Sequence, residues 1–390
     1  MKEIKIKALQ GPYFKDTLSE ENDIPYLIGY ISAKDLVENH KIPYFSIKKG
    51  STGYQRQPNK KRIAEYAKKI ATSPLDFPTL VLLNLRNEKQ INFYKNSVLT
   101  YTPDHNNKLF VVDGQHRVLA LQTAMDIADA KGDNEMYERV CNLQIPFGLT
   151  ITESVLNEMV LFYEVNNFAK SVSANIRTAI ETMRAKLGDK GTRIAMEQSG
   201  EDWKVIADHI LLSVTNDYDN VWFNRIKYDN TNPLKPNVGN FAMSKYLKNI
   251  INSNEAEMAS EGRVDFSLSV FNAYWKAFEI ASPNAFGEDN AKNYSIQTAM
   301  GADVFMRLWP FIKDWIVKTE QTEQNLKDAK TYVPALKKII KNSNGEDKNG
   351  EYQEGLNYWL VGSAAGAQGS GEGGKLSLAS NLKKWLTEDE

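Results

Sequence analysis

A single cysteine, Cys141, in 390 residues excludes an internal disulfide framework and a zinc site built on paired cysteines. It suits a reducing cytoplasm, which is the location the sequence leads us to expect. Net charge is nearly absent too. Lys and Arg number 48 against 49 Asp and Glu, a balance of -1, so the chain is no polycation and any nucleic-acid contact needs a local basic surface. No apolar run approaches the ~20 residues that span a bilayer, so no membrane association is expected. The opening MKEIKIKALQ lacks the apolar core of a signal peptide. The GxSxG and HExxH patterns are absent. Of the 4 histidines, His40 and His105 have no partners in sequence. Asp202, Asp208 and His209 share one predicted helix, but their spacing makes no facial metal site, so they are expected on the surface and no metal site is expected from protein side chains.

What remains is an ordinary globular composition, 42% hydrophobic and 25% charged, in a chain long enough for two or three cores. We expect an α+β protein: an α/β domain over residues 1–152, then a mainly α-helical domain over 153–390 ending in a Gly-rich loop.

The first part is organised around Leu109–Gln122, LFVVDGQHRVLALQ. Four apolar residues read as a buried strand. Asp113, Gly114, Gln115, His116 and Arg117 follow, and then the apolar helical spacing of Val118, Leu121, Met125 and Ala128. A strand turning through glycine into a helix leaves N–H groups free at the helix start, and these make an anion site. Gly114 lets the backbone approach a ligand, and Arg117 adds a forked donor for phosphate. His116 can donate or accept near neutral pH and stabilise charge on a leaving oxygen. Asp113 can position a water or Mg²⁺ for hydrolysis, or serve only as the N-cap. Asp113 and His116 are thus the catalytic candidates.

The second informative stretch is GYQRQPNKKRIAEYAKKI, residues 53–70. Pro58 and Asn59 open a helix with Ile63, Tyr66, Ala67 and Ile70 on one face. From Lys34 to Lys69 ten cations, among them Lys49, Arg56, Lys60, Lys61 and Arg62, face only Asp35, Glu38 and Glu65. That excess is either a DNA-phosphate footprint or a solvated helix face. Elsewhere, Ser32 is read as capping a helix over Ala33–Asn39, and Phe77–Leu85 as a buried strand. Residues 86–108 read as a hairpin excursion, Asn142–Thr152 as the last strand, and Thr152 or Ser154 as the cap of a helix over Val155–Asn166.

From Ser173 to about Leu212, and over Met243–Asn252, Leu268–Ala281 and Tyr294–Val317, the pattern is helical; residues 216–240 read as irregular with a short hairpin, and 318–355 as polar and lysine-rich. Trp275, Phe278, Phe305, Trp309 and Trp315 are expected to fill a second core. Gly369–Lys375 meets GxxxxGK, but Leu376 stands where the metal-binding Ser or Thr belongs and no buried strand leads into it, so a mobile loop is expected.

At VVDGQHRVLALQTA the chain resembles the DGQHR-domain proteins of the ParB/sulfiredoxin-like superfamily, which include DndB- and DpdB-like members. The resemblance covers about residues 40–175. GYQR is similar to the first ParB box, and Phe162, Asn166, Val172 and Ser173 to an FxxxN stretch after the domain. It implies a small α/β domain binding ATP or CTP, with phosphates on the turn Gly114–Arg117 and with Gln55 and Arg56 across the cleft. Gln115 stands where sulfiredoxin has its cysteine, so thiolate-based sulfinic-acid repair is not expected. The implied setting is a bacterial or phage DNA-modification system, with DNA, a nucleoside triphosphate and other proteins of the system as partners. The leading expectation is a nucleotide-binding, ATP-hydrolysing accessory protein of that system, the alternative a non-enzymatic DndB-like DNA-binding transcriptional regulator, and a homodimer is left open.

Overall fold

The computed structural model describes residues 3–11, 13–16, 23–47, 52–72, 79–104, 107–169, 174–228, 231–253, 260–320, 323–369 and 371–387. Lys49, His105, Ser370 and the segment Lys170–Ser173 lie outside them, and so do Phe77 and Pro78 of the expected Phe77–Leu85 strand. The chain divides into two compact units, Met1–Thr192 and Arg193–Glu390.

The first unit is built on an eight-stranded mixed sheet. Its strands are β1 (Ile4–Gln10), β2 (Tyr26–Ser32), β3 (His40–Lys41), β4 (Val81–Leu85), β5 (Tyr94–Lys95), β6 (Val98–Tyr101), β7 (Leu109–Asp113) and β8 (Gln144–Ile151). Their order across the sheet is β3-β7-β4-β8-β2-β1-β6-β5. β8 runs parallel to β4, and β4 antiparallel to β7. The helices are α1 (Ala33–Asn39), α2 (Lys60–Thr72), α3 (Gln115–Ala130), α4 (Asn134–Cys141), α5 (Val155–Ala169) and α6 (Ala174–Lys186).

Strand alternation sorts the side chains between two faces. Leu83, Val111, Phe147 and Leu149 join Ala67, Val118, Leu121 and Val140 of α2, α3 and α4 in one core. Leu82 and Val112 point the other way and meet Tyr54, Met159, Phe162 and Ile180, which brings in α5 and α6. That second layer is why the first unit continues past residue 152. Capping follows the expected chemistry at two helices. The Ser32 hydroxyl accepts from Asp35 N–H at 3.0 Å, and the Ser154 hydroxyl from Asn157 N–H at 3.3 Å. The 86–108 excursion pairs β5 with β6 through Asn96 and Ser97, both at positive φ, as a tight hairpin turn requires.

The chain passes into the second unit within α7 (Lys190–Gln198), and that unit is largely helical. It contains α8 (Trp203–Asn216), α9 (Asn240–Asn252), α10 (Ser260–Ala281), α11 (Ala299–Glu320), α12 (Ala329–Asn342), α13 (Ala364–Ala367) and α14 (Glu372–Thr387). Trp275, Phe278, Phe305 and Trp309 are fully buried, joined by Trp222 and Trp359. Phe278 meets Phe305 edge-on with centroids 4.5 Å apart, and Trp222 meets Trp275 edge-on at 4.8 Å. Trp315 is only half-buried.

Three expectations fail here. The Gly-rich tail is no loop: α14 starts at Glu372, and Lys375 is held by the buried Asp303 at 2.7 Å. Asp208 is buried rather than exposed, beside the enclosed Tyr228, whose phenol burial pushes well above its ordinary range. The 216–240 region forms a short parallel pair, Ile226–Lys227 with Val238–Gly239, in place of a hairpin. Among the described residues no helix is long and apolar enough to cross a membrane.

Candidate functional site

β7 delivers Asp113 to the edge of the core, and Gly114 then turns the chain with φ +98° into α3. Gly114 itself is the N-cap, and no side chain caps the helix. Asp113 therefore does not cap α3, as its position suggested it could. Its carboxylate accepts instead from Arg117 Nη2 at 2.6 Å, one turn on, while Arg117 Nη1 donates to Leu80 C=O at 2.5 Å. Glycine is needed at this bend, because an L side chain is strained at such a φ.

The bend opens on a cavity of about 990 Å³. Gln55, Arg56, Arg62, Tyr66, Lys68, Lys69, Asp113, Gly114, Gln115, His116, Arg117, Phe162 and Asn166 all line it. Arg56, Arg62, Lys68 and Lys69 are exposed and pair with no carboxylate among the described residues. Gln115 is only 7% exposed, its Oε1 is buried without a hydrogen bond, and the residue faces the cavity. The uncapped helix start and the free cations form a place for a negatively charged ligand, and the Gln115 oxygen, an acceptor, calls for a hydroxyl or amine donor on it.

Each cavity residue is fixed by its own local bonds. Tyr54 and Gln55 N–H both donate to Pro43 C=O at 2.9 Å. The Gln55 side-chain amide then donates to the β7 carbonyls of Val111 and, at 3.1 Å, Val112. Gln55 is thus fully buried and stitches its segment to β7. The Asn59 side chain accepts from Arg62 N–H at 3.1 Å and starts α2. Asn59 N–H in turn donates to His116 Nε2 at 3.0 Å. His116 therefore ties the beginnings of α2 and α3 together, with its Nε2 lone pair in use. Asn166 donates to Phe162 C=O at 2.8 Å within α5. Of the cations singled out in sequence, Arg56 and Arg62 reach the cavity. Lys60 and Lys61 are exposed outside its lining, with Lys61 4.0 Å from Glu65.

Burial, then the charges of Arg62 and Arg56, push the His116 imidazolium below its ordinary pKa of 6.5. Burial does the same to His40. Folded histidines of this kind resist a proton that the unfolded chain accepts. Their contribution is fully present above about 6.5 and is lost as the pH falls from there towards the lowered folded values. Urea-unfolding midpoints are thus expected to drop between pH 7.5 and 5.5, and His116→Gln to flatten the slope. An unaltered slope in that variant would remove His116 as a cause.

One cluster carries no sequence signal. Glu158, fully buried on α5, accepts from Arg86 Nε and Nη2 at 2.7 Å each, from Asn84 Nδ2 at 2.6 Å, and from Tyr54 OH at 3.2 Å. The Arg86 guanidinium lies 3.8 Å over the Phe110 ring. Tyr54 packs against Phe162, ring centroids 5.2 Å apart and tilted, so the cluster supports the cavity wall from behind. Among the described residues no group of three or more His, Cys, Asp or Glu side chains is placed to hold a metal ion. No protein-family model matches the chain, and neither a curated protein nor a solved structure matches it.

Proposed function

We propose that the first unit binds a nucleoside triphosphate, ATP or CTP with Mg²⁺ as counter-ion, in the cavity at Gly114. We propose further that the protein is a nucleotide-dependent accessory component of a DNA-modification system of the phosphorothioation or 7-deazaguanine type. The observation that carries this is the meeting of an uncapped helix start with Arg56, Arg62, Lys68 and Lys69 in one cavity. A cavity of about 990 Å³ is larger than a lone phosphate needs and accommodates a base and sugar as well. The likeness of VVDGQHRVLALQTA to the DGQHR-domain family, of ParB/sulfiredoxin-like fold, supplies the nucleotide and the DNA-modification setting. The geometry favours binding over hydrolysis, because the His116 Nε2 lone pair is spent on the Asn59 amide.

Calorimetric titration of ATP and CTP tests the reading. The double variant Arg56→Ala/Arg62→Ala is expected to weaken binding by about tenfold or more, as loss of charge-assisted phosphate contacts does. Silence of the wild-type protein towards both nucleotides, or identical titrations for wild type and variant, would overturn it. A DndB-like DNA-binding regulator is the second reading, favoured by Lys60 and Lys61, which stand exposed outside the cavity lining. The two separate on whether DNA binding needs the nucleotide.

A further inference from the structure

We propose that Asp113 is an internal counter-ion, which a polyphosphate must displace from Arg117 before that arginine joins the site. The inference deepens the triphosphate reading and rests on it. The cavity holds two tiers of cation. Arg56, Arg62, Lys68 and Lys69 are exposed and unpaired among the described residues, ready for any anion. Arg117 is different. Its side chain is 21% exposed and that of Asp113 34%, and the two meet at 2.6 Å. The guanidinium is held on a second side by Leu80 C=O at 2.5 Å. It also lies across the bend itself, since a Cβ on Gly114 would stand 3.1 Å from both Nε and Nη2. In this arrangement Arg117 lies beside Gly114 at the helix start and its charge is already paired.

A ligand of low charge is satisfied by the exposed cations and leaves the inner pair intact. The carboxylate holds the guanidinium through one bond, from Nη2, whereas a chain of phosphates offers it a forked pair of oxygens with more charge behind them. Once it takes Arg117, the Asp113 carboxylate faces the ligand's negative charge and opposes it. Asp113 therefore sets a charge threshold: only a ligand with enough charge to displace it engages Arg117, and that ligand bears the cost of breaking the pair. Its role is positioning, through Arg117, and it makes no contact with the ligand.

The test is calorimetric titration with inorganic tripolyphosphate and with inorganic phosphate at fixed ionic strength. The proteins are wild type, Asp113→Asn, Arg117→Ala and the double variant Asp113→Asn/Arg117→Ala. Asp113→Asn is expected to tighten tripolyphosphate binding roughly three- to tenfold, the range of one partly buried charge pair, and to tighten phosphate by a smaller factor, because phosphate leaves the pair intact in the wild type. On the Arg117→Ala background the same change relieves only the direct repulsion, so it is expected to tighten tripolyphosphate by a smaller factor than when Arg117 is present. Asp113→Ser serves if Asp113→Asn lowers the melting temperature. Wild-type binding with equal or weaker binding by Asp113→Asn overturns the counter-ion role and leaves the triphosphate reading standing. Silence of all four proteins overturns both.

Discussion

Glu158→Ala is expected to destabilise the first unit by about 3 kcal/mol, near the lower end of the range for breaking a buried ion pair by removing one partner. The lower end applies because Arg86 retains 20% exposure and its stacking on Phe110. Asn84 keeps its bond to Thr152 C=O at 2.9 Å, so the loss falls mainly on Arg86 and on the Tyr54 hydroxyl. The Tyr54 phenol is already held well above its ordinary pKa, by burial first and then by the Glu158 carboxylate, so it stays a neutral donor in search of an acceptor. Glu158→Gln, which keeps shape and one acceptor oxygen, should be milder than Glu158→Ala. Urea unfolding followed by far-ultraviolet circular dichroism measures the loss. Every tryptophan of the chain, from Trp203 to Trp385, lies in the second unit. Tryptophan emission therefore shows whether the effect is confined to Met1–Thr192. A change below about 1 kcal/mol for Glu158→Ala would mean the cluster is solvated rather than load-sharing.

What sequence revealed and what it concealed divide along the distance between partners. The strand, turn and helix at 109–130 are legible because every cue is local: an apolar run, a glycine and a 3.6-residue period. The same holds for Ser32 before α1, for Asn59 before α2, and for the aromatic spacing of α10 and α11. The Glu158 cluster is illegible because its members lie 72, 74 and 104 residues from Glu158 along the chain. A single Glu on an apolar helix looks like a solvent-facing residue until the sheet is assembled. Lys375 is a similar case, since only the fold places Asp303 beside it. Helix α12 was open to reading, with Tyr332, Leu336, Ile339 and Ile340 at helical spacing, but its lysines and Pro334 mask the stripe. At the candidate site, local pattern located the bend and the cations of α2. It did not show that Arg117 is pinned by Asp113, although the i,i+4 spacing permits that pair. Nor did it show that the His116 lone pair is spent on α2.

Gly114→Ala is the second large effect expected, about 1–3 kcal/mol of destabilisation together with altered anion binding. Two costs add. At φ +98° an L residue is strained whatever space surrounds it. The new Cβ would also stand 3.1 Å from Arg117 Nε and Nη2 and 3.2 Å from Val81 Cγ1, tighter than ordinary contacts. Val81 is buried in the sheet and cannot give, so the arginine must, at the expense of its bonds to Asp113 and Leu80. Gly132→Ala separates the costs. Gly132 also has positive φ, +64°, but nothing lies within 4 Å of the added Cβ. It should register the backbone penalty alone, about 1 kcal/mol, and leave tripolyphosphate affinity untouched. The excess of Gly114→Ala over Gly132→Ala then reports the displaced guanidinium. If the two variants lose equal stability and bind tripolyphosphate equally well, Arg117 does not lie across the bend in solution, and the inner cation of the site is already free.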